Sequence, residues 1–189
     1  MPRAKTCSVR DRFLPLSQST LEPPEGIVYN VGMKDVPERV YVESSVVSGV
    51  FDSNDHPERV KPFWDAVFAG KIRVVLSSVL DDEVADAKQH IRDFYRTIPE
   101  SQIEHIVSTD ESDALAARYI AEGIISPNHI TDCRHVALAS VARVDVLVSF
   151  NCGHIVKLNR IRQYNAINML CGYPPIEIRT PDEVIYVEN

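Results

Sequence analysis

The residues Val40-Tyr41-Val42-Glu43-Ser44-Ser45 decide the fold of this chain. Three apolar residues in a row are typical of a buried strand, and the acid and the two hydroxyls that follow mark its end. The same order, a short apolar run and then polar residues, returns at 73–78 and at 144–151. Longer stretches with helical spacing of apolar residues lie between these runs. This alternation predicts an α/β fold, a three-layer α/β/α sandwich with a central, mainly parallel sheet.

The pattern places each predicted element along the chain. Strands are predicted at residues 40–42, 73–76, 103–107, 144–148 and 176–178, and helices at 57–69, 79–94, 112–122, 132–142 and 158–170. In parallel sheets, ligands bind outside the carboxyl ends of the strands, where the strand order reverses. The polar residues that directly follow strands are therefore the candidates for a functional site.

Length and composition indicate one ordinary domain. The chain has 189 residues, of which 44% are hydrophobic and 25% charged, and no apolar run approaches the roughly 18 residues that span a bilayer. We therefore expect no membrane contact and a cytoplasmic location. Residues 1–37 are rich in proline and lack periodicity, which predicts a flexible tail and makes Met33 an alternative start. Residues 38–189 form the predicted domain.

Cysteines and net charge narrow the classes of function. The four cysteines are widely spaced without a Cys-x-x-Cys pair, which argues against a zinc site and a disulfide framework and predicts free thiols. The net charge of −7 weighs against a nucleic-acid partner, because phosphate binding depends on Lys and Arg. Carboxylates that hold a metal would also make the total negative, so a local basic strip remains compatible with this charge.

Two of the candidate acids follow the first two strands. Glu43 ends the first strand, although a helix cap or turn explains it equally well. After the second strand, Ser77 or Ser78 is a predicted helix cap, and the acids of the next turns are favoured by the helix dipole whatever the function. Among those acids, Glu83 borders the predicted buried face, so we select it over Asp81 and Asp82.

The other candidates are Asp132 and the residues after the fourth strand. Asp132 opens a predicted helix, and His135, one turn later, is more typical of a packed and hydrogen-bonded histidine than of a catalyst. Ser149 and Asn151 follow the strand, although Asn151 also suits a plain turn. Asp145 begins the same strand, so it belongs to the opposite end of the sheet, and we expect a structural role.

Three carboxylates and an amide from separate strand ends would meet in one cleft. Oxygen ligands of this kind suit Mg²⁺ or Mn²⁺. A metal held in this way activates water and neutralises charge on a phosphodiester, so the pattern points to phosphodiester hydrolysis.

Five motifs together resemble the PIN-domain family of VapC-like toxins. They are the 40–48 segment, the 77–84 segment, Asp132-Cys-Arg-His-Val-Ala-Leu-Ala, the 144–155 segment with Asn151-Cys-Gly-His154, and the closing Gly172-Tyr-Pro-Pro-Ile-Glu-Ile segment, all in family order over about 40–184. The resemblance implies an endoribonuclease that cuts RNA with Mg²⁺ or Mn²⁺. It also implies a cognate antitoxin as partner and a homodimer.

The resemblance assigns roles to individual residues. Glu43, Glu83 and Asp132 match the acids of the metal site, Asn151 stands where a fourth acid often lies, and Ser45 matches the hydroxyl that supports the first acid. Ser149, at the end of the predicted fourth strand, is a second supporting candidate. His154, Lys157 and Arg160 lie just past the predicted cleft and are candidate RNA contacts, although a solvated surface explains them equally well.

Two departures from the family pattern leave an alternative open. Most members have Asp where this chain has Glu43, and the fourth acid is replaced by the neutral Asn151. A PIN domain that binds RNA or a protein without cutting is therefore the main alternative. A phosphatase or phospho-acceptor domain is disfavoured, because those families need Asp after the first strand.

Overall fold

Five parallel strands form the central sheet in the order β3-β2-β1-β4-β5 in the computed structural model, which describes residues 39–185. The strands are β1 (Val40–Val42), β2 (Val74–Ser77), β3 (Ile103–Ile106), β4 (Val146–Val148) and β5 (Glu177–Arg179). The central strand β1 pairs with β2 on one side and β4 on the other. The strand order therefore reverses between β1 and β4, and the predicted parallel sheet is confirmed.

Helices cover both faces of this sheet. They are α1 (Ser44–Ser48), α2 (His56–Phe68), α3 (Ser78–Ala85), α4 (Gln89–Tyr95), α5 (Asp110–Ala121), α6 (Ile130–Val141) and α7 (Leu158–Leu170). Within β1, Val40 and Val42 pack with the helices α1 to α4, whereas Tyr41 packs with α5, α6 and α7. Because both faces are buried, the three inner strands β1, β2 and β4 are nearly continuous apolar runs, whereas the edge strands β3 and β5 carry charged residues. The predicted three-layer α/β/α fold is confirmed.

The single helix predicted over 79–94 is wrong. Helix α3 ends at Ala85, Lys88 is extended with ψ 151°, and α4 begins at Gln89. The Arg92 guanidinium donates from Nη1 to the carbonyl of Ala87 at 2.5 Å, so it satisfies backbone that would otherwise be left open. The sequence pattern also missed α1, because its five residues are too few to show a helical period.

Arg39 ties the amino end of the sheet together. Its guanidinium donates to both carboxylate oxygens of Glu104, at 2.9 and 2.5 Å, and to the carbonyl of Ala142 at 2.7 Å. The Arg39 backbone N–H donates to Asp145 Oδ2 at 2.9 Å. Asp145 therefore lies at the end opposite the strand carboxyl termini, as the sequence predicts.

Three further predictions concern the segment before the domain, the cysteines and membrane contact. The expected flexible tail, residues 1–37 with the alternative start at Met33, lies outside the described residues. Cys133, Cys152 and Cys171 are free thiols. Among the helices of the described chain, none is both long and apolar enough to cross a bilayer.

Candidate functional site

Glu43 lies at the carboxyl end of β1, where the strand order reverses. Its side chain is almost completely buried, with 4% of the residue exposed. The carboxylate caps α1 by accepting the Ser45 backbone N–H at 3.1 Å, so the helix-cap interpretation of this residue also holds. Glu43 therefore follows the last residue of β1, caps the amino end of α1 and lies at the switch point of the sheet.

Neutral groups supply the hydrogen bonds to the Glu43 carboxylate. Oε2 accepts the backbone N–H and the hydroxyl of Ser45 and, at 2.7 Å, the hydroxyl of Ser149. Oε1 accepts the Ser44 hydroxyl at 2.9 Å. The Ser45 hydroxyl also accepts the Phe150 backbone N–H at 2.8 Å, which ties α1 to the end of β4. Oε1 therefore keeps more room for another ligand than Oε2 does.

Asp132, in the first turn of α6, is the second acid of the site. Its Oδ1 accepts the Asn151 side-chain amide at 2.9 Å, while Oδ2 lies 3.0 Å from His154 Nδ1 and 3.6 Å from His129 Nδ1. Burial and the nearby charge of Glu43 raise the pKa of Asp132, and the charges of His154, His129 and His135 offset only part of that rise. The Glu43 carboxylate therefore lies near enough to disfavour the charged form of Asp132.

Glu83 is held by a buried hydrogen-bond chain. His135, which is fully buried, bonds from Nε2 to Glu83 Oε2 at 2.7 Å and from Nδ1 to the Tyr41 hydroxyl at 2.8 Å. The Tyr41 hydroxyl in turn lies 2.7 Å from the Ser77 hydroxyl, which accepts the Leu80 backbone N–H as the cap of α3. This position agrees with the expectation that His135 is a packed histidine.

Burial raises the pKa of Tyr41 well above its ordinary value, so the phenol keeps its proton. Its hydroxyl lies within hydrogen-bonding distance of both Ser77 Oγ and His135 Nδ1, and the Glu83 carboxylate accepts a hydrogen bond from His135 Nε2. Burial raises the pKa of Glu83, but the hydrogen bond and charge of His135, with help from Ser44, bring it below the ordinary value. Glu83 is therefore held as an oriented carboxylate, still one-third exposed.

The Asn151 side chain links Asp132 to the loop that carries His154. Its Nδ2 donates to Asp132, its Oδ1 accepts the His154 backbone N–H at 3.1 Å, and its own N–H donates to Ser149 Oγ at 2.9 Å. Both ends of the amide are thus engaged with protein groups. The side chain orients Asp132 and the loop that carries His154.

The three candidate RNA contacts, His154, Lys157 and Arg160, differ in exposure and in hydrogen-bond partners. His154 is half-buried beside Asp132, and the exposed Lys157 precedes the first residue of α7. The Arg160 guanidinium instead donates to the carbonyl of Ile124 and, at 3.3 Å, to Gln163. Arg160 therefore fastens α7 to the segment after α5, and it reaches toward that segment rather than toward the acids.

Sequence reasoning missed His129. Its ring packs against that of His154 with 3.8 Å between centroids, and it lies three residues before Asp132 on the helical turn. The i, i+3 spacing of His129 and Asp132 at a helix start was the available signal. The partner His154 comes from a distant loop, so the sequence could not show that the two rings meet.

Two groups of three side chains offer ligand atoms to a cation. Glu43, Glu83 and His135 form one group, and His129, Asp132 and His154 form the other, each with its ligand atoms within 4.8 Å of one another. Carboxylate oxygens suit Mg²⁺ and Mn²⁺, and imidazole suits Mn²⁺ and later transition ions. The residues present therefore fit a divalent cation.

Comparison with known proteins gives three solved structures of similar form. VapBC2 from Rickettsia felis bound to a DNA fragment from its promoter is 14% identical, with 75% of this chain and 98% of that chain covered and a TM-score of 0.47. VapBC-1 from nontypeable Haemophilus influenzae is 12% identical, with 76% of this chain and 98% of that chain covered and a TM-score of 0.48. FitAcB from Neisseria gonorrhoeae is 14% identical, with 75% of this chain and 97% of that chain covered and a TM-score of 0.45. No family model matches the chain, and neither does any curated protein.

Proposed function

We propose that the protein is a metal-dependent endoribonuclease that acts as the toxin of a toxin–antitoxin pair. One observation carries the proposal: Glu43 and Glu83 offer ligand atoms in one group, Asp132 offers one in a second group, and no Lys or Arg of the described chain forms an ion pair with any of the three acids. Partly buried carboxylates that lack a permanent counter-charge destabilise one another unless a cation binds.

In this proposal, Glu43, Asp132 and Glu83 hold Mg²⁺ or Mn²⁺. The bound ion supplies the activation of water and the neutralisation of charge on the phosphodiester. Glu83, oriented by His135 at 2.7 Å, is placed to align the attacking water and accept its proton. Ser45 and Ser149 fix the Glu43 carboxylate, and neither residue moves a proton to the substrate.

Lys157 and His154 are the side chains that we propose for binding RNA phosphates. Both belong to the segment between β4 and α7; His154 lies 3.0 Å from Asp132 Oδ2, and Lys157 is exposed. A strip of this kind would offset the net charge of −7 locally. We assign Arg160 a structural role instead of RNA binding, because its guanidinium donates to the carbonyl of Ile124 and so holds α7 against the segment after α5.

A cognate antitoxin, a homodimer and a cytoplasmic location complete the proposal. The dimer is supported by exposed apolar side chains near the end of α7, Met169 at 58% and Leu170 at 79%. By contrast, Tyr164 and Ile167 of the same helix belong to the core. Light scattering of wild type and Leu170→Glu tests the dimer, and a monomeric wild type would contradict it.

A domain that binds RNA or protein without cutting is the second candidate. The observation that favours it is the neutral Asn151, whose amide is engaged at both ends by Asp132 and His154. The site then carries one negative charge fewer than a four-acid site. Binding without cleavage is the behaviour that would separate this candidate from the nuclease.

Cleavage of a total-RNA pool by the purified protein tests the two candidates. We expect cleavage by wild type with Mn²⁺, none with EDTA, and none by Asp132→Asn. Glu104→Gln is the matched control, because it removes an acid from the opposite end of the sheet and should cleave as wild type does. No cleavage by folded, antitoxin-free wild type under any condition would leave the binding domain as the function.

A further inference from the structure

We infer that His129, Asp132 and His154 form a binding position for a transition-metal ion, with Mn²⁺ or Zn²⁺ strongly preferred over Mg²⁺. The inference rests on the proposed function in that both take Asp132 as a metal ligand. It differs in adding the imidazoles of His129 and His154 as ligands, and in this inference His154 binds the metal in place of an RNA phosphate. Two histidines and one carboxylate with open positions are a recurrent ligand set for such ions.

Distances between the donor atoms support this position. Ligand atoms about 2.1 Å from one ion lie about 3.0 Å apart at right angles and about 3.4 Å apart in a tetrahedron. Asp132 Oδ2 lies 3.0 Å from His154 Nδ1 and 3.6 Å from His129 Nδ1, and all three residues offer a ligand atom within 4.8 Å of the others. A single ion fits these separations with small adjustments of exposed rings.

The two histidines are brought together by parts of the chain that are far apart in sequence. His129 precedes α6, whereas His154 belongs to the loop after β4, and their rings lie 3.8 Å apart with an angle of 38°. One shared cation satisfies both nitrogens with the rings neutral.

Asn151 acts as a positioning residue for this ligand set. It donates to Asp132 Oδ1, which leaves Oδ2 facing the imidazoles, and it accepts the His154 backbone N–H. Outer contacts of this type fix the direction of metal ligands. The amide therefore compensates for the missing fourth acid by orienting two of the three ligands.

The chemistry of the donors sets the metal preference. Mg²⁺ strongly prefers oxygen and keeps most of its waters, so two imidazoles contribute little to its binding. Mn²⁺ and Zn²⁺ accept imidazole readily. The preference therefore depends on His129 and His154, and it should disappear when both are removed.

Titration of the full chain with Mn²⁺, followed by the electron paramagnetic resonance signal of the free ion, tests the inference. Wild type should bind Mn²⁺, and about a hundredfold molar excess of Mg²⁺ should displace only a minor part of it. This competition uses wild type alone, so it does not depend on the folding of a variant. Loss of most bound Mn²⁺ to Mg²⁺, or no Mn²⁺ binding at all, would overturn the inference.

Variants then assign the binding to the imidazoles. His129→Ala and His154→Ala should each weaken Mn²⁺ binding at least about tenfold, with circular dichroism as the check on folding. His105→Ala is the matched control, because His105 pairs with Asp81 at an exposed site and should bind Mn²⁺ as wild type does. Unchanged Mn²⁺ affinity in the double variant His129→Ala/His154→Ala would overturn the inference.

RNA cleavage measured on the same samples separates this inference from the proposed function. Cleavage that needs Asp132, together with Mn²⁺ affinity that is unchanged in His129→Ala/His154→Ala, would remove the inference and leave the nuclease. Mn²⁺ binding through the histidines without any cleavage would keep the inference and remove the nuclease.

Discussion

The two ends of the sheet hold acids in opposite ways. At the amino end, Arg39 donates to both oxygens of Glu104 through its guanidinium and to Asp145 through its backbone N–H. At the carboxyl end, Glu43 is bonded to hydroxyls and a backbone N–H, while Asp132 is bonded to an amide and imidazoles. In the described chain, the Arg39 guanidinium is a permanent cation at the amino end, and no Lys or Arg pairs with the acids at the carboxyl end.

The pKa shifts follow this difference. The Arg39 guanidinium lowers the pKa of Glu104, whereas burial and Glu43 raise the pKa of Asp132. A guanidinium is always charged, so Arg39 neutralises the Glu104 carboxylate at the amino end without any ligand. Among residues 39–185, no Lys or Arg pairs with Glu43, Glu83 or Asp132 at the carboxyl end, and a bound cation would supply the missing positive charge. Identical residue types thus serve stability at one end and, in our proposal, chemistry at the other.

The largest expected effect is the loss of activity in Glu43→Gln. Glutamine keeps one oxygen for the Ser45 N–H but removes the charge, so RNA cleavage should fall at least about 100-fold, about 2.7 kcal/mol. The free energy of unfolding should stay level or rise, because a buried charge is removed. Single-turnover cleavage and urea unfolding measure the two quantities. Wild-type cleavage by this variant would contradict the comparison.

Metal should stabilise the domain through the carboxyl end alone. At a free Mn²⁺ concentration of about 100 times Kd, the free energy of unfolding should rise by about 2.7 kcal/mol. Asp132→Asn should lose this gain, whereas Glu104→Gln should keep it. Thermal unfolding with Mn²⁺ and with EDTA measures the effect. An equal gain in wild type and Asp132→Asn would mean that the metal binds elsewhere.

Removal of His135 should weaken both the core and the site. The imidazole is fully buried and links Tyr41 to Glu83, so His135→Ala should cost about 2 kcal/mol of folding free energy through a cavity and lost hydrogen bonds. Chemical denaturation measures this cost, with the exposed His105→Ala as control. A cost as small as that of the control would show that the chain from Tyr41 to Glu83 contributes little.

The smallest expected effect is that of Glu104→Gln. The folded-state pKa of Glu104 is lowered, so its ion pair contributes above the ordinary pKa and is lost as the pH falls through the lowered value. Because both partners are about one-third exposed, the contribution at pH 7 should be about 1 kcal/mol or less. Urea unfolding should show wild type and variant converging in strong acid. A gap that widens in acid would contradict this sign.

Local sequence reasoning located the acids but misjudged some of their surroundings. Glu43 and Asp132 are candidates because one follows a strand and the other lies in the first turn of a helix, and Glu83 is a candidate because it borders the buried face of α3. The break between α3 and α4 was not found, because Arg92 closes it through contacts with the carbonyls of Ala85 and Ala87. Periodicity reports which face is buried, and it carries little information on how backbone groups at a break are satisfied.

The sequence by itself determined the α/β class, the parallel sheet and the end of the sheet where polar residues gather. These follow from local patterns, since apolar runs, helical spacing and the residue after each strand are all written within a few positions. Only the tertiary structure decided that His129 meets His154 beside Asp132, and that Asn151 orients both. These contacts join the start of α6 to the loop after β4, and such pairings depend on how the sheet and helices pack.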